Sequence, residues 1–189
     1  MSLRLGRVAM ICAMGVVACA TGQNAVITHE YFAPTYGPKL LNSAGKYQAV
    51  PVEIVGNPFA APKATVDAAM MNAVRRTAYG GRIAFTANPE GEVRSPFRLV
   101  AIFTPSPRIG HADVCTGSRE QERQPLGGLE LMMTYCFGER ALSSVRARRA
   151  DLGGPDDPAF DRFVRNTTAA LFQPRKEDGN GPDGDDFFE

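Results

Sequence analysis

Apolar and polar residues alternate in several short segments of the chain, and this period of two predicts β-strands. In the first of them, Val50, Val52 and Ile54 fall on one face. The pattern marks residues 48–55, 82–87, 97–104, 128–138 and 140–148. The third segment, FRLVAIFT, is almost continuously apolar, which is typical of a central strand covered on both faces. We expect the second and third segments to pair around the turn at residues 88–91, and the last two to form a hairpin.

Two other segments repeat apolar residues at intervals of three and four, which predicts amphipathic helices. The first covers residues 65–78, with Thr65 as a possible N-terminal cap. The second begins at Asp157 and Pro158, a capping residue followed by a proline suited to the first helical position. Its predicted buried stripe consists of Phe160, Phe163, Val164, Thr167 and Leu171.

The element order over residues 48–173 is therefore β-α-β-β-β-β-α. It predicts one α+β domain with a single mixed or antiparallel sheet of about five strands and two helices packed on one face. Residues 20–47 are rich in Thr, Asn, Gly and Pro and are expected to form a tether, although Tyr31 and Phe32 are apolar enough for part of it to pack on the domain. Residues 174–189 are acidic and rich in Gly and Pro, which is typical of a disordered tail.

The first nineteen residues have the pattern of an export signal. Arg4 and Arg7 precede an apolar run at residues 8–18, and Cys19 follows directly. This run lies within the roughly 7–15 residues of a secretory signal and is shorter than the about 20 residues that span a bilayer. The arginines are not adjacent, so a twin-arginine signal is not indicated.

Residues Val16, Val17, Ala18 and Cys19 resemble the lipobox of bacterial lipoproteins. The resemblance implies that residues 1–18 are removed and that an acylated Cys19 anchors the mature protein, facing the periplasm, on the inner or the outer membrane. Residues 19–47 would then be anchor and tether. The alternative is a small-x-small cleavage site at residues 18–20, which would release a soluble secreted protein. The domain order is also loosely similar to small α/β modules of periplasmic assembly lipoproteins, from which no functional residue is carried over.

The cysteines fit export. Cys12 would leave with the signal and Cys19 would carry the lipid, so Cys115 and Cys136 remain in the mature domain. In an oxidising compartment we expect these two residues to form a disulfide. Closing a loop of about 20 residues contributes on the order of 3 kcal/mol in the chain-entropy model.

Charge is distributed unevenly along the chain. Residues 19–175 contain 18 basic and 14 acidic residues, a net charge of +4, whereas residues 176–189 contain one lysine and six acidic residues, a net charge of −5. Dedicated nucleic-acid binders need clustered basic charge, so we expect no nucleic-acid partner. Four arginines lie on and after the last predicted strand, where they could protect an exposed sheet edge or meet anionic headgroups: Arg140, Arg146, Arg148 and Arg149.

One loop contains the main candidate chemistry. His111, Asp113 and Cys115 lie within five residues, and such side chains can bind a metal or serve a hydrolase. Their spacing matches no zinc motif, and oxidation of the cysteines would remove the thiolates. We therefore predict no metal site, no cofactor and no catalytic residues, with His111 and Asp113 as the residues to test for a metal.

These observations predict a lipid-anchored envelope lipoprotein that acts as a non-catalytic scaffold or interaction module. Its partners would be the membrane, through acylated Cys19, and an envelope protein. The alternative is a small periplasmic hydrolase or metal-binding protein that uses His111, Asp113 and Cys115.

Overall fold

A computed structural model of the chain describes residues 25–37, 49–77, 83–87, 95–122 and 128–173, together with Leu40 and Ala44. The predicted signal and lipidation site (residues 1–19) and the predicted acidic tail (residues 174–189) lie outside the described residues. The elements in chain order are β1 (Val26–Phe32), β2 (Val50–Val55), α1 (Lys63–Arg75), β3 (Phe85–Thr86), β4 (Phe97–Phe103), α2 (His111–Cys115), β5 (Leu129–Phe137), β6 (Arg140–Arg149) and α3 (Pro158–Leu171).

The strands form one mixed sheet in the order β1-β6-β5-β4-β2-β3. The pairs β1–β6, β6–β5 and β5–β4 are antiparallel, whereas β4–β2 and β2–β3 are parallel. The α+β class and the single sheet are confirmed. The predicted element counts are wrong, because the described residues form six strands and three helices.

The additional strand is β1, which lies within the segment predicted to be a tether. It pairs with β6 from Val26 opposite Arg148 to Phe32 opposite Ser143, with an irregularity between Ile27 and His29. Its middle residues are exposed, and the irregularity shifts the side-chain alternation, so the segment lacks the sustained period of a half-buried strand. The described fold therefore begins well before residue 48.

The predicted pairing of the second and third strand segments is also wrong. Val52–Val55 of β2 occupies the position beside β4, opposite Leu99–Ile102. The two-residue strand β3 pairs instead with the outer side of β2, where Phe85 lies opposite Val50. Because α1 connects β2 to β3, this pair is parallel, as expected for strands joined by a helical crossover.

Each face of the sheet is covered by different helices. α1 and α3 pack on one face together with Leu99, Phe103 and Leu131. All five residues of the predicted α3 stripe are buried. The opposite face holds a smaller cluster that includes Val100 and Ile102, and it is covered by α2, which was not predicted.

The helix starts agree only in part with the sequence prediction. Asp157 caps α3, accepting a hydrogen bond from the backbone N–H of Ala159 at 2.7 Å. The N–H groups of Gly153 and Ala159 hold the pKa of the Asp157 carboxyl below its ordinary value. Thr65 is not the cap of α1, because the helix starts earlier, at Lys63 after Pro62, whose ring carries no capping group.

The predicted disulfide between Cys115 and Cys136 is present. It joins the last residue of α2 to β5 across a Cα–Cα distance of 5.7 Å, and both residues are fully buried. A five-residue helix has little stability of its own, so this covalent link holds α2 against the sheet.

We expect replacement of both cysteines, Cys115→Ala with Cys136→Ala, to lower the free energy of unfolding in urea by about 3 kcal/mol, because the unfolded chain loses a crosslink. The reduced wild-type protein is the control, since it keeps both sulfur atoms and isolates the effect of the bond. Equal stability of oxidised and reduced wild-type protein would contradict the expectation.

Candidate functional site

A cleft of about 410 Å³ opens at the end of the sheet where β1 finishes and β5 turns into β6. Its lining includes Tyr31 and His111 together with Phe137, Arg140 and Leu142. Most of its lining is apolar, with a few polar groups at the rim, which is the usual character of a binding site. We call it the Tyr31–His111 cleft.

The rings of Tyr31 and His111 stack face to face. Their centroids are 3.6 Å apart, and their planes differ by 11°. Tyr31 comes from β1, and His111 is the first residue of α2, so the stack connects the edge strand to the short helix. Partial burial, with a smaller contribution from nearby His29, lowers the pKa of His111, although Asp113 opposes the shift. The ring is therefore biased toward its neutral form.

The other residues of the sequence-predicted cluster support the backbone. The carboxylate of Asp113 accepts a hydrogen bond from the backbone N–H of Gly110 at 2.8 Å, which closes the first turn of α2. Cys115 is bonded to Cys136. Within the part of the chain that the structure describes, no group of three or more His, Cys, Asp or Glu residues is placed to hold a metal ion.

Arg146 anchors the loop that leads into His111. Its guanidinium donates to the Glu130 carboxylate at 3.2 Å and to the carbonyl oxygens of Ser106 and Ile109 at 3.1 and 2.5 Å. Edge protection by the arginines of β6 does not apply, because β6 lies between β1 and β5. From this internal strand, the Arg146 side chain instead makes hydrogen bonds to Glu130 and to the loop on one face of the sheet.

Two further arginines, missed by the sequence analysis, secure the other end of α2. Arg98 donates to the carbonyl oxygen of Cys115, and Arg119 donates to that of Val114 at 2.7 Å. Arg119 also makes a two-point ion pair with Glu53, which lowers the pKa of that carboxyl. Arg98 had a detectable signal, because it is the one charged residue in the apolar segment FRLVAIF and needs a partner there.

The β5–β6 turn carries exposed charge at the cleft. The Arg140 guanidinium lies 5.9 Å from the centre of the Phe137 ring, a cation–π arrangement. Glu139 precedes it in the turn, and both side chains are exposed. The cleft thus combines aromatic walls with one cation and one carboxylate at its rim, an arrangement suited to binding an apolar group that carries charge.

Comparisons with known proteins give little beyond this geometry. No protein-family model and no curated protein matches the chain. The matches among solved structures include two crystal forms of the PelC dodecamer from Paraburkholderia phytofirmans, each 10% identical and covering 80% of this chain and 99% of the PelC chain. The TM-scores are 0.42 and 0.43, and a similarity at this level carries no conclusion about assembly or function.

We expect Arg146→Ala to lower the free energy of unfolding by about 2–3 kcal/mol, because it removes the donor to the Glu130 carboxylate and to the Ile109 carbonyl oxygen, and one of the two donors to the Ser106 carbonyl oxygen. Chemical denaturation measures the change. Arg108→Ala is the matched control, since Arg108 lies in the same loop with an exposed side chain. Similar stability of the two variants would show that Arg146 does not anchor the loop.

The His111 environment predicts a pH dependence of stability. Because the folded pKa is lowered, the unfolded chain binds more protons as the pH falls through about 6.5, and the folded state loses stability over that range. In an NMR titration we expect the His111 midpoint below about 6.5, and a shift toward that value in Tyr31→Ala, which uncovers the ring. The His29→Gln variant identifies which of the two histidine signals belongs to His29. A His111 midpoint above the ordinary histidine pKa would contradict the stacked, partly buried environment.

Proposed function

We propose that this protein is a lipid-anchored lipoprotein of the bacterial cell envelope, with an α+β domain that serves as a non-catalytic scaffold or interaction module. The observation that carries the proposal is the sequence Val16–Cys19, which ends an apolar run that follows Arg4 and Arg7. Cys19 is the proposed lipidation site, and the domain would face the periplasm.

The disulfide supports the proposed location in an oxidising compartment outside the cytosol. Removal of residues 1–18 leaves three cysteines, of which Cys115 and Cys136 are joined. Buried disulfides of this kind persist in oxidising environments and are rare in the cytosol. Cys19 is then the one remaining thiol, which is the group that a lipoprotein modifies. No helix in the described part of the chain is long and apolar enough to cross a membrane.

The position of β1 sets the geometry of such an anchor. Only residues 20–25 separate Cys19 from Val26, and six residues span at most about 20 Å. The end of the sheet where β1 starts and β6 finishes would therefore lie close to the bilayer. The Tyr31–His111 cleft lies at the other end of β1, about 20 Å farther away. We propose the cleft as the surface that meets an envelope partner.

The alternative function requires groups that the fold already uses. A hydrolase or metal-binding protein built on His111, Asp113 and Cys115 would need a thiolate, a ligating carboxylate and an accessible imidazole. Instead, Cys115 is oxidised, Asp113 closes the turn at Gly110, and His111 stacks on Tyr31. These contacts support structural roles for the three residues and favour the interaction module.

Metabolic labelling with an alkyne fatty acid tests the anchor. We expect the wild-type protein to be labelled and to sediment with membranes, and Cys19→Ala to lose the label. Cys12→Ala is the matched control, because it changes a cysteine within the proposed signal and should leave labelling intact. Mass spectrometry of the mature protein should find an acylated N-terminal Cys19. An unmodified mature chain starting after Ala20, equally soluble in all three proteins, would refute the lipoprotein proposal and favour secretion.

A further inference from the structure

The described part of the chain finishes at the same end of the sheet as the Tyr31–His111 cleft. The hydroxyl of Tyr36 donates a hydrogen bond to the carbonyl oxygen of Leu171, the last residue of α3, at 3.2 Å. Tyr36 is itself almost fully buried and follows Ala33 and Thr35, which line the cleft. The C-terminal end of α3 therefore lies at the same end of the sheet as the cleft.

The cleft has an apolar interior and a cation at its mouth. Tyr31, Leu40 and Phe137 supply apolar surface, and Arg140 stands exposed at the rim. Arg140 contacts the Phe137 ring and makes no ion pair with the residues that the structure describes. A fitting ligand would thus present an aromatic or aliphatic group with a carboxylate nearby. Among the lining residues that the structure describes, Glu139 carries the negative charge that would oppose such a ligand.

The chain itself contains a segment of this chemistry. Residues 174–189 have just two large apolar side chains, Phe187 and Phe188, and these follow directly on Asp185 and Asp186. Aromatic side chains gain most from burial against other rings, and paired carboxylates suit a guanidinium. The segment and the cleft are therefore complementary in both apolar character and charge.

The length of chain permits the contact. Phe187 lies fourteen positions after Gln173, and this stretch of chain can extend to at most about 50 Å. A flexible chain of this length has a root-mean-square span of about 20 Å. Because the segment is covalently attached, its effective concentration at the cleft is of millimolar order, so even a weak contact becomes populated.

We propose that Phe187 and Phe188 dock into the Tyr31–His111 cleft of the same molecule, with Asp185 and Asp186 facing Arg140. The segment then occupies the surface that an envelope partner would use, and a partner binds by displacing it. The docking does not require acylation of Cys19, so its failure would leave the proposed anchor untouched.

A single introduced tryptophan tests the docking, because the chain contains none. We expect Phe188→Trp in the purified full-length mature protein to show emission shifted to shorter wavelength and several-fold weaker quenching by iodide than in denaturant. Adding Arg140→Glu should return both signals toward the denatured values. Arg162→Glu, the same charge change at an exposed site on α3, should not. Glu139→Gln should strengthen the protection from iodide.

Three outcomes would overturn the proposal. The first is tryptophan emission in the native protein equal to that in denaturant. The second is an equal effect of Arg140→Glu and Arg162→Glu, which would indicate general electrostatics and not contact with the cleft. The third is a blue shift that grows with protein concentration, which would assign the segment to the cleft of a second copy. A concentration-independent shift that only Arg140→Glu removes would support docking within one molecule.

Discussion

The antiparallel pairing of β1 with β6 is the interaction on which the proposed functional surface depends. It covers one side of β6, which would otherwise be an open edge, and it fixes Tyr31 opposite Ser144 on the strand. From there the Tyr31 ring meets His111 of α2. The same pairing directs the chain before Val26 to one end of the sheet and the cleft to the other. Without β1, the cleft would lose a wall and α2 would lose its contact with the edge strand.

The second constraint is that a helix of five residues has little stability of its own, so bonds to the rest of the fold must hold α2 in position. α2 is held by the disulfide at Cys115, by Arg98 and Arg119 at its last carbonyl groups, and by Arg146 through the preceding loop. In sequence, His111, Asp113 and Cys115 suggest chemistry because they are close together. In the fold, their closeness reflects one short helix whose side chains cap, crosslink and stack to stabilise it.

Local patterns predicted the elements whose burial is regular. The run FRLVAIFT marked β4, the Asp157–Pro158 cap marked α3, and elimination among four cysteines identified the disulfide. The alternation did not predict β1, because exposed residues and a register shift interrupt it. It also did not predict the partner of β3, because two residues hold too little information to specify one. The stack of Tyr31 on His111 joins residues 80 positions apart, so it follows from the register of β1 and no local pattern encodes it.

The direction of α3 sets how far from the proposed anchor the acidic C-terminal segment starts. α3 starts after β6, near the proposed membrane side, and its 14 residues carry the chain about 21 Å to the cleft. If the domain is anchored through Cys19 as proposed, the C-terminal end of α3 would lie more than two Debye lengths, of about 8 Å each, from an anionic bilayer surface. A segment of net charge −5 would oppose anchoring if it left the fold beside the tether. In the proposed arrangement the segment instead starts at the cleft end of the sheet, where Arg140 is exposed, so the topology that would allow a short anchor also favours the proposed occupation of the cleft.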